Sequence, residues 1–262
     1  MCAIEIGCCG SLREAALFKE CGFQYLEANI TQIVLMEEDA FQQALAELRE
    51  TGLPVRAANC FLPGDWPMAH GERDPEKDKA YAQKAAERLS ALGCRVAVLG
   101  SGGARALTEE YGFEKGKQQF LDFYALALDI FAPFGLQIAI EPLRKAECNW
   151  LNTIGETLSV IGSMPQGNRG VICDFYHLAQ EGEELSIVEK AAPLLRHCHI
   201  AHPVSRKAPL PGDGADYEED FRILLKNGYS GCVSLEGNWE NNADTLKKSA
   251  AYLQECLQKA SC

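Results

Sequence analysis

Glu141, Asp174, His199 and Glu236 stand at the ends of short apolar runs rich in β-branched residues: Ile138-Ala139-Ile140-Glu141, Val171-Ile172-Cys173-Asp174, His197-Cys198-His199-Ile200 and Val233-Ser234-Leu235-Glu236. Neighbouring members are 33, 25 and 37 residues apart, about the length of one strand-helix repeat. In a parallel α/β barrel the C-terminal ends of all strands share one rim, so residues distant in sequence converge there. Three carboxylates and one imidazole form a mostly hard ligand set. It suits one divalent ion, Mn²⁺ first, with Mg²⁺ or Co²⁺ as substitutes, better than a thiolate-rich zinc site would. Four protein ligands on an octahedral ion leave two positions open for adjacent oxygens of a substrate.

The rest of the chain supplies the elements such a rim needs. Eight strand-like segments are expected at 3–7, 25–27, 55–59, 96–100, 137–141, 170–174, 197–200 and 232–236, separated by helical patterns. Ser11-Leu12-Arg13-Glu14 and Thr153-Ile154-Gly155-Glu156 fit the capping box, in which hydroxyl and carboxylate satisfy orphan backbone donors. Glycine stops follow at Gly22 and Gly93. The expected fold is therefore a single (β/α)₈ TIM barrel spanning 1–262 as one domain. Long connections at 60–74, 102–113 and 201–216 follow strands three, four and seven, on the rim that carries the four ligands. On strand parity His199 is the ligand of strand seven; His197 points the same way but deeper in the barrel.

Composition bounds the function. The net charge of -12, from 37 acidic and 25 basic residues, repels a polyphosphate backbone and argues against nucleic acid as a partner. No apolar stretch approaches the roughly 18 residues of a membrane span, and the N-terminus lacks a signal pattern. A cytoplasmic location and no membrane association are expected, and the sequence is compatible with a homo-oligomer. The 12 cysteines are scattered with no Cys-x-x-Cys pair and read as reduced, mostly buried small apolar residues. Cys8 and Cys9, expected just after the first strand, are the two with a place near the rim. Gly100-Ser101-Gly102-Gly103-Ala104-Arg105 has the composition of a phosphate cradle, although a glycine-rich turn without further support is more often only a turn. Trp66, Trp150 and Trp239 could serve equally as sugar platforms or loop packing.

Taken in order, Glu141-Pro142-Leu143, Glu147, Leu151-Asn152-Thr153, Glu156, Asp174-Phe175-Tyr176-His177, His197-Cys198-His199, Arg206, Pro211-Gly212-Asp213-Gly214 and Ser234-Leu235-Glu236 resemble the xylose-isomerase-like barrel superfamily. Within it the pattern is similar to the sugar (or sugar phosphate) isomerases and epimerases, including the ketose 3-epimerases. The resemblance implies that Glu141, Asp174, His199 and Glu236 bind the metal and that Glu141 and Glu236 also form the proton-transfer pair. It further implies that Glu147, His177 and Arg206 contact a small carbohydrate substrate. Arg206 is displaced by about one position, and Ala201-His202-Pro203 replaces the acidic residue usual shortly after the metal-binding histidine. The implied activity is isomerisation or epimerisation of a keto sugar, polyol ketone or sugar acid through a metal-stabilised enediolate. A dehydratase or lyase using the same proton abstraction is the alternative. AP endonucleases share this barrel, but their zinc cluster needs histidines after early strands, and only His70, inside a loop, is available.

Overall fold

A computed structural model describes residues 4–262. Eight strands, β1 (Glu5–Gly10), β2 (Tyr25–Asn29), β3 (Val55–Asn59), β4 (Val96–Leu99), β5 (Gln137–Ile140), β6 (Arg169–Asp174), β7 (Leu195–Ile200) and β8 (Cys232–Leu235), pair in sequence order. All pairings are parallel, and β1 also pairs with β8, so the sheet closes into a barrel. The larger connecting helices are α1 (Ala15–Cys21), α2 (Ile30–Leu35), α3 (Glu38–Thr51), α4 (Pro75–Ala91), the short α5 (Gly102–Arg105), α6 (Phe113–Phe131), α7 (Ile154–Ile161), α8 (Phe175–Glu181), α9 (Ile187–Ala191), α10 (Tyr217–Lys226) and α11 (Ala243–Ala260). No described helix is long and apolar enough to cross a membrane.

The expected strands coincide with these, apart from end shifts. The first is displaced toward its C-terminus: Ala3 lies outside the described residues, and Cys8 and Cys9 belong to β1 rather than following it. The Ser11 capping box forms, with Glu14 accepting from the Ser11 amide at 2.7 Å. At α7 only half of the expected box is present. Thr153 accepts from the Glu156 amide, but the Glu156 carboxylate reaches one residue further back, to the Asn152 amide at 2.8 Å.

Helices cover the outside of the barrel through one large apolar layer. The barrel interior is divided. Ala57, Val96, Val98, Ala139 and Ile172, from β3 to β6, form a separate apolar cluster. The opposite wall, from β2, β7 and β8, is polar: Tyr25, Glu27, His197, His199 and Ser234 are all fully buried. Tyr25 lies against β1 because Gly7 has no side chain; a Cβ there would come within 2.4 Å of the ring. A buried polar wall is stable only if its members satisfy one another, and its hydrogen bonds lead to the rim.

Candidate active site

The barrel register assembles the four strand-end residues. Asp174 pairs with His199 across β6 and β7. Glu141 and Glu236 each continue the ladder one residue beyond their strands, through backbone bonds to Leu99 and Ile200. One ligand atom from each of Glu141, Asp174, His199 and Glu236 falls in a cluster whose atoms all lie within 4.8 Å of one another.

Each side chain is held by a different local device. Asp174 caps α8, its Oδ1 accepting from the Tyr176 and His177 amides at 2.7 and 3.3 Å. This cap fixes the carboxylate and leaves Oδ2 buried with no hydrogen-bond partner among the described residues. Glu141 fits because residue 100 is glycine: a Cβ at Gly100 would lie 2.2 Å from Glu141 Oε2. Glu236 accepts from Asn59 Nδ2 at 3.0 Å and from Arg206 Nη2 at 2.6 Å.

His199 is oriented from below by Glu27, whose Oε1 lies 3.0 Å from Nε2. With Nε2–H donating to that carboxylate, Nδ1 faces the cluster, 3.0 Å from Glu141 Oε1, 3.6 Å from Glu236 and 3.9 Å from Asp174 Oδ2. Glu27 also takes His197 Nε2 at 2.6 Å. His197 therefore faces Glu27 and Ser234 within the barrel, whereas His199 joins the strand-end cluster. A carboxylate behind a histidine fixes its tautomer and raises its basicity as a ligand.

The electrostatics follow from four ionisable groups in one place, three of them buried and Glu236 partly so. Burial opposes charging His199, but the carboxylates of Glu27 and Glu236 and its own hydrogen bonds to Glu141 and Glu27 reverse this and hold its pKa well above the ordinary value. Burial pushes Glu236 up to about 7, helped by the like charges of Glu141 and Asp174. Burial also works against ionised Glu141, yet its bond to His199 and the imidazole charge bring it below the usual carboxylate value. The orphaned Asp174 Oδ2, the aimed Nδ1 and the hard donor set fit one divalent ion. Cys9 lies close by, with its Sγ near Glu27 and His199. The four strand-end donors themselves are oxygen and nitrogen.

Glu147, His177 and Arg206 gather on one side of this cluster. Arg206 Nη1 donates to Glu147 Oε1 at 3.1 Å while Nη2 holds Glu236, and its guanidinium lies 4.9 Å over the Tyr176 ring. Arg206 itself has φ of 51°, a left-handed backbone conformation that costs a non-glycine residue energy. His177 is buried, its Nδ1 accepting from the Arg144 amide at 3.2 Å. That leaves Nε2–H as a donor with no partner, 3.6 Å from Asp174 Oδ2 and 3.9 Å from Glu147 Oε2. His202 instead braces its own loop, with Nδ1 accepting from the Val204 and Ser205 amides.

Other sequence candidates have structural duties. Arg105 is fully buried and donates to the Leu99 and Leu151 carbonyls and to Cys148 Sγ, so it is not available to a phosphate. Trp150 is buried edge-on against Phe120, and Trp66 donates to Asp78 at 2.7 Å. Sequence reasoning missed Glu27, Asn59 and Arg144, which holds Glu147 at 2.7 Å. For Glu27 a signal existed: it ends the expected segment 25–27 as Glu141 ends 137–141, although β2 itself runs on to Asn29.

The model of the family described as xylose isomerase-like TIM barrel matches residues 15–256. The chain belongs to this family. Among its xylose isomerase-like relatives, 3-dehydro-D-guloside 4-epimerase of Escherichia coli is 24% identical over 255 residues, covering 94% of each chain. A 2-oxo-tetronate isomerase of Haemophilus influenzae is 30% identical over 230 residues, 82% of this chain and 83% of that one. Among solved structures, the apo form of an E. coli 3-keto-D-glucoside 4-epimerase superposes with a TM-score of 0.84 at 23% identity, covering 97% of this chain and 100% of the other. These xylose isomerase-like relatives are sugar epimerases and isomerases.

Proposed function

We propose that this protein is a divalent-metal-dependent epimerase or isomerase of a keto sugar or related polyhydroxy ketone, with Glu141 and Glu236 as its proton-transfer pair. The observation that carries the reading is the pairing of two unsatisfied buried atoms, Asp174 Oδ2 and His177 Nε2, with the carboxylates of Glu141 and Glu236 around His199 Nδ1. A metal ion beside the first and a polyhydroxylated ligand beside the second would satisfy both. The names of the relatives, acting on keto-glycosides and oxo-tetronates, favour the same class.

Glu141, Asp174, His199 and Glu236 would hold the ion. When bound, it supplies Lewis acidity that stabilises negative charge on a substrate carbonyl oxygen as the neighbouring carbon loses its proton. One glutamate takes that proton and the other returns one, to the opposite face for epimerisation. His177 Nε2–H donates to a substrate oxygen, and Arg206 and Glu147 bind hydroxyl groups while holding the carboxylates in place. Because Arg206 and Arg144 are already engaged by Glu236 and Glu147, the site favours an uncharged sugar over a phosphorylated one.

Deuterium incorporation from heavy water into a panel of keto sugars, with metal content measured alongside, tests this. The Mn²⁺-loaded enzyme should exchange a carbon-bound proton, and Glu141→Gln and Glu236→Gln should each reduce exchange by at least about a hundredfold. Full exchange in either metal-loaded variant removes that glutamate from the pair. Net loss of water from the substrate would assign a dehydratase instead.

A further inference from the structure

The glycine-rich segment after β4, Gly100-Ser101-Gly102-Gly103-Ala104-Arg105, holds no arginine free for a phosphate, yet each of its glycines faces a close neighbour. Gly100 leaves room for the Glu141 carboxylate. A Cβ at Gly102 would lie 2.8 Å from the carbonyl oxygen of Glu147 and 3.0 Å from Leu143 Cδ1. One at Gly103 would lie 2.6 Å from the carbonyl oxygen of Gly64. At Gly102 and Gly103 the neighbour is backbone, which cannot swing aside as the tip of a side chain can.

The segment is also bonded on both flanks, so it cannot retreat from either. Toward the 60–74 loop, Ser101 Oγ accepts from the Leu62 amide at 2.9 Å, and the Ala104 carbonyl accepts from the Ala69 amide at 3.1 Å. Toward the connection after β5, buried Arg105 donates to the Leu151 carbonyl at 3.4 Å, and Leu107 and Asn149 exchange two bonds at 2.9 and 2.8 Å. The turn seated on Gly102 is closed by the Glu147 amide donating to the Arg144 carbonyl at 2.8 Å. Its Glu147 carboxylate then takes Arg144 Nε at 2.7 Å and Arg206 Nη1 at 3.1 Å. The approach of the Glu147 backbone to Gly102 thus sets where the Glu147–Arg206 pair stands.

We propose that Gly102 is a positioning residue that determines substrate specificity: its missing side chain lets the Glu147 turn settle beside the cluster and fixes which arrangement of sugar hydroxyls the Glu147–Arg206 pair accepts. Two glycines two positions apart therefore divide the work, Gly100 making room for a carboxylate of the cluster and Gly102 for the contacts to the sugar. Displacements on the scale of an ångström are enough to change such recognition. The inference rests on the assignment of Glu147 and Arg206 to the sugar under the proposed function.

Gly102→Ala tests it in the full-length, Mn²⁺-loaded protein, with Gly64→Ala as control because a Cβ at exposed Gly64 meets nothing within 4 Å. One readout needs no sugar: labelling of Arg144 and Arg206 by phenylglyoxal, followed by peptide mass spectrometry, should be several-fold faster in Gly102→Ala and unchanged in Gly64→Ala. Asn149→Ala removes the bonds to Leu107 that brace the same connection and adds no bulk; it should accelerate labelling in the same direction even if Gly102→Ala folds poorly. The second readout is deuterium exchange into the D-ketohexoses, which differ only in hydroxyl configuration. Gly102→Ala should raise KM about tenfold, change kcat less, alter the order of preference among these sugars and leave Mn²⁺ affinity at the wild-type value. Combined with Glu147→Gln it should be no worse than Glu147→Gln alone, because both act through the same contact. Wild-type labelling rates in both Gly102→Ala and Asn149→Ala, additive penalties with Glu147→Gln, or a loss of Mn²⁺ affinity in Gly102→Ala would overturn the proposal. A wild type that exchanges protons into none of these sugars counts against the functional reading, while the labelling rates still decide whether Gly102 positions Glu147 and Arg206.

Discussion

At the residue scale, the device most open to test is Glu27, which holds both His197 and His199 from the barrel interior. Partners behind a metal-binding histidine typically govern about 10- to 100-fold of metal affinity. Glu27→Gln should therefore weaken Mn²⁺ binding by about that factor, measured by metal titration, while the closed barrel persists in circular dichroism. Undiminished affinity would reduce Glu27 to a buried structural partner. Protons should compete with the ion at the same cluster. Glu236 is pushed up to about 7 and His199 well above its ordinary value, so both hold protons near neutrality in the free protein. Metal binding must expel them, and apparent affinity should fall roughly tenfold or more per pH unit as pH drops below 7. A flat affinity between pH 8 and 6 would mean that the cluster is not the metal site.

At the element scale, the site depends on how strand ends and the following turns are built. Asp174 is both strand end and helix cap, so α8 itself directs Oδ2 inward. β4 ends against Gly100, whose missing side chain leaves the volume taken by the Glu141 carboxylate. Gly100→Ala should displace that carboxylate and lower activity and metal affinity by at least about tenfold, while overpacking lowers stability by roughly 1 to 3 kcal/mol. Activity assays and denaturant melts of the same preparation separate the two effects. Wild-type metal affinity in Gly100→Ala would show that Glu141 relocates without leaving the cluster.

At the scale of the whole molecule, closure of β8 onto β1 makes every strand a neighbour of two others. The cluster draws on β6, β7 and the residues after β5 and β8, so an ion at the rim would tie distant parts of the chain together. Saturating Mn²⁺, at about a hundred times its dissociation constant, should add roughly 2.7 kcal/mol of stability. For a chain of this length that corresponds to a Tm rise of about 5 to 10 °C. Calorimetry showing no rise in the wild type, or an equal rise in Asp174→Ala, would separate metal binding from this cluster.

The alternation of strand and helix, and the four donors at successive strand ends, are written locally. Strand periodicity, turn glycines and repeat spacing are properties of short segments, so the barrel and the placement of Glu141, Asp174, His199 and Glu236 on one rim were legible along the chain. The division of labour between His197 and His199 was only partly legible, since parity turns both inward. Their different surroundings follow from Glu27, which is 170 residues from His197 in sequence. The contacts of Arg206 with Glu147 and Glu236 likewise come with a left-handed backbone angle at that residue. Glu27, Asn59 and Gly100 act through contacts that exist only once the sheet has closed. A local pattern records which face a side chain occupies; which buried polar group meets which is decided by register and barrel closure, because those alone set the distances across the barrel interior.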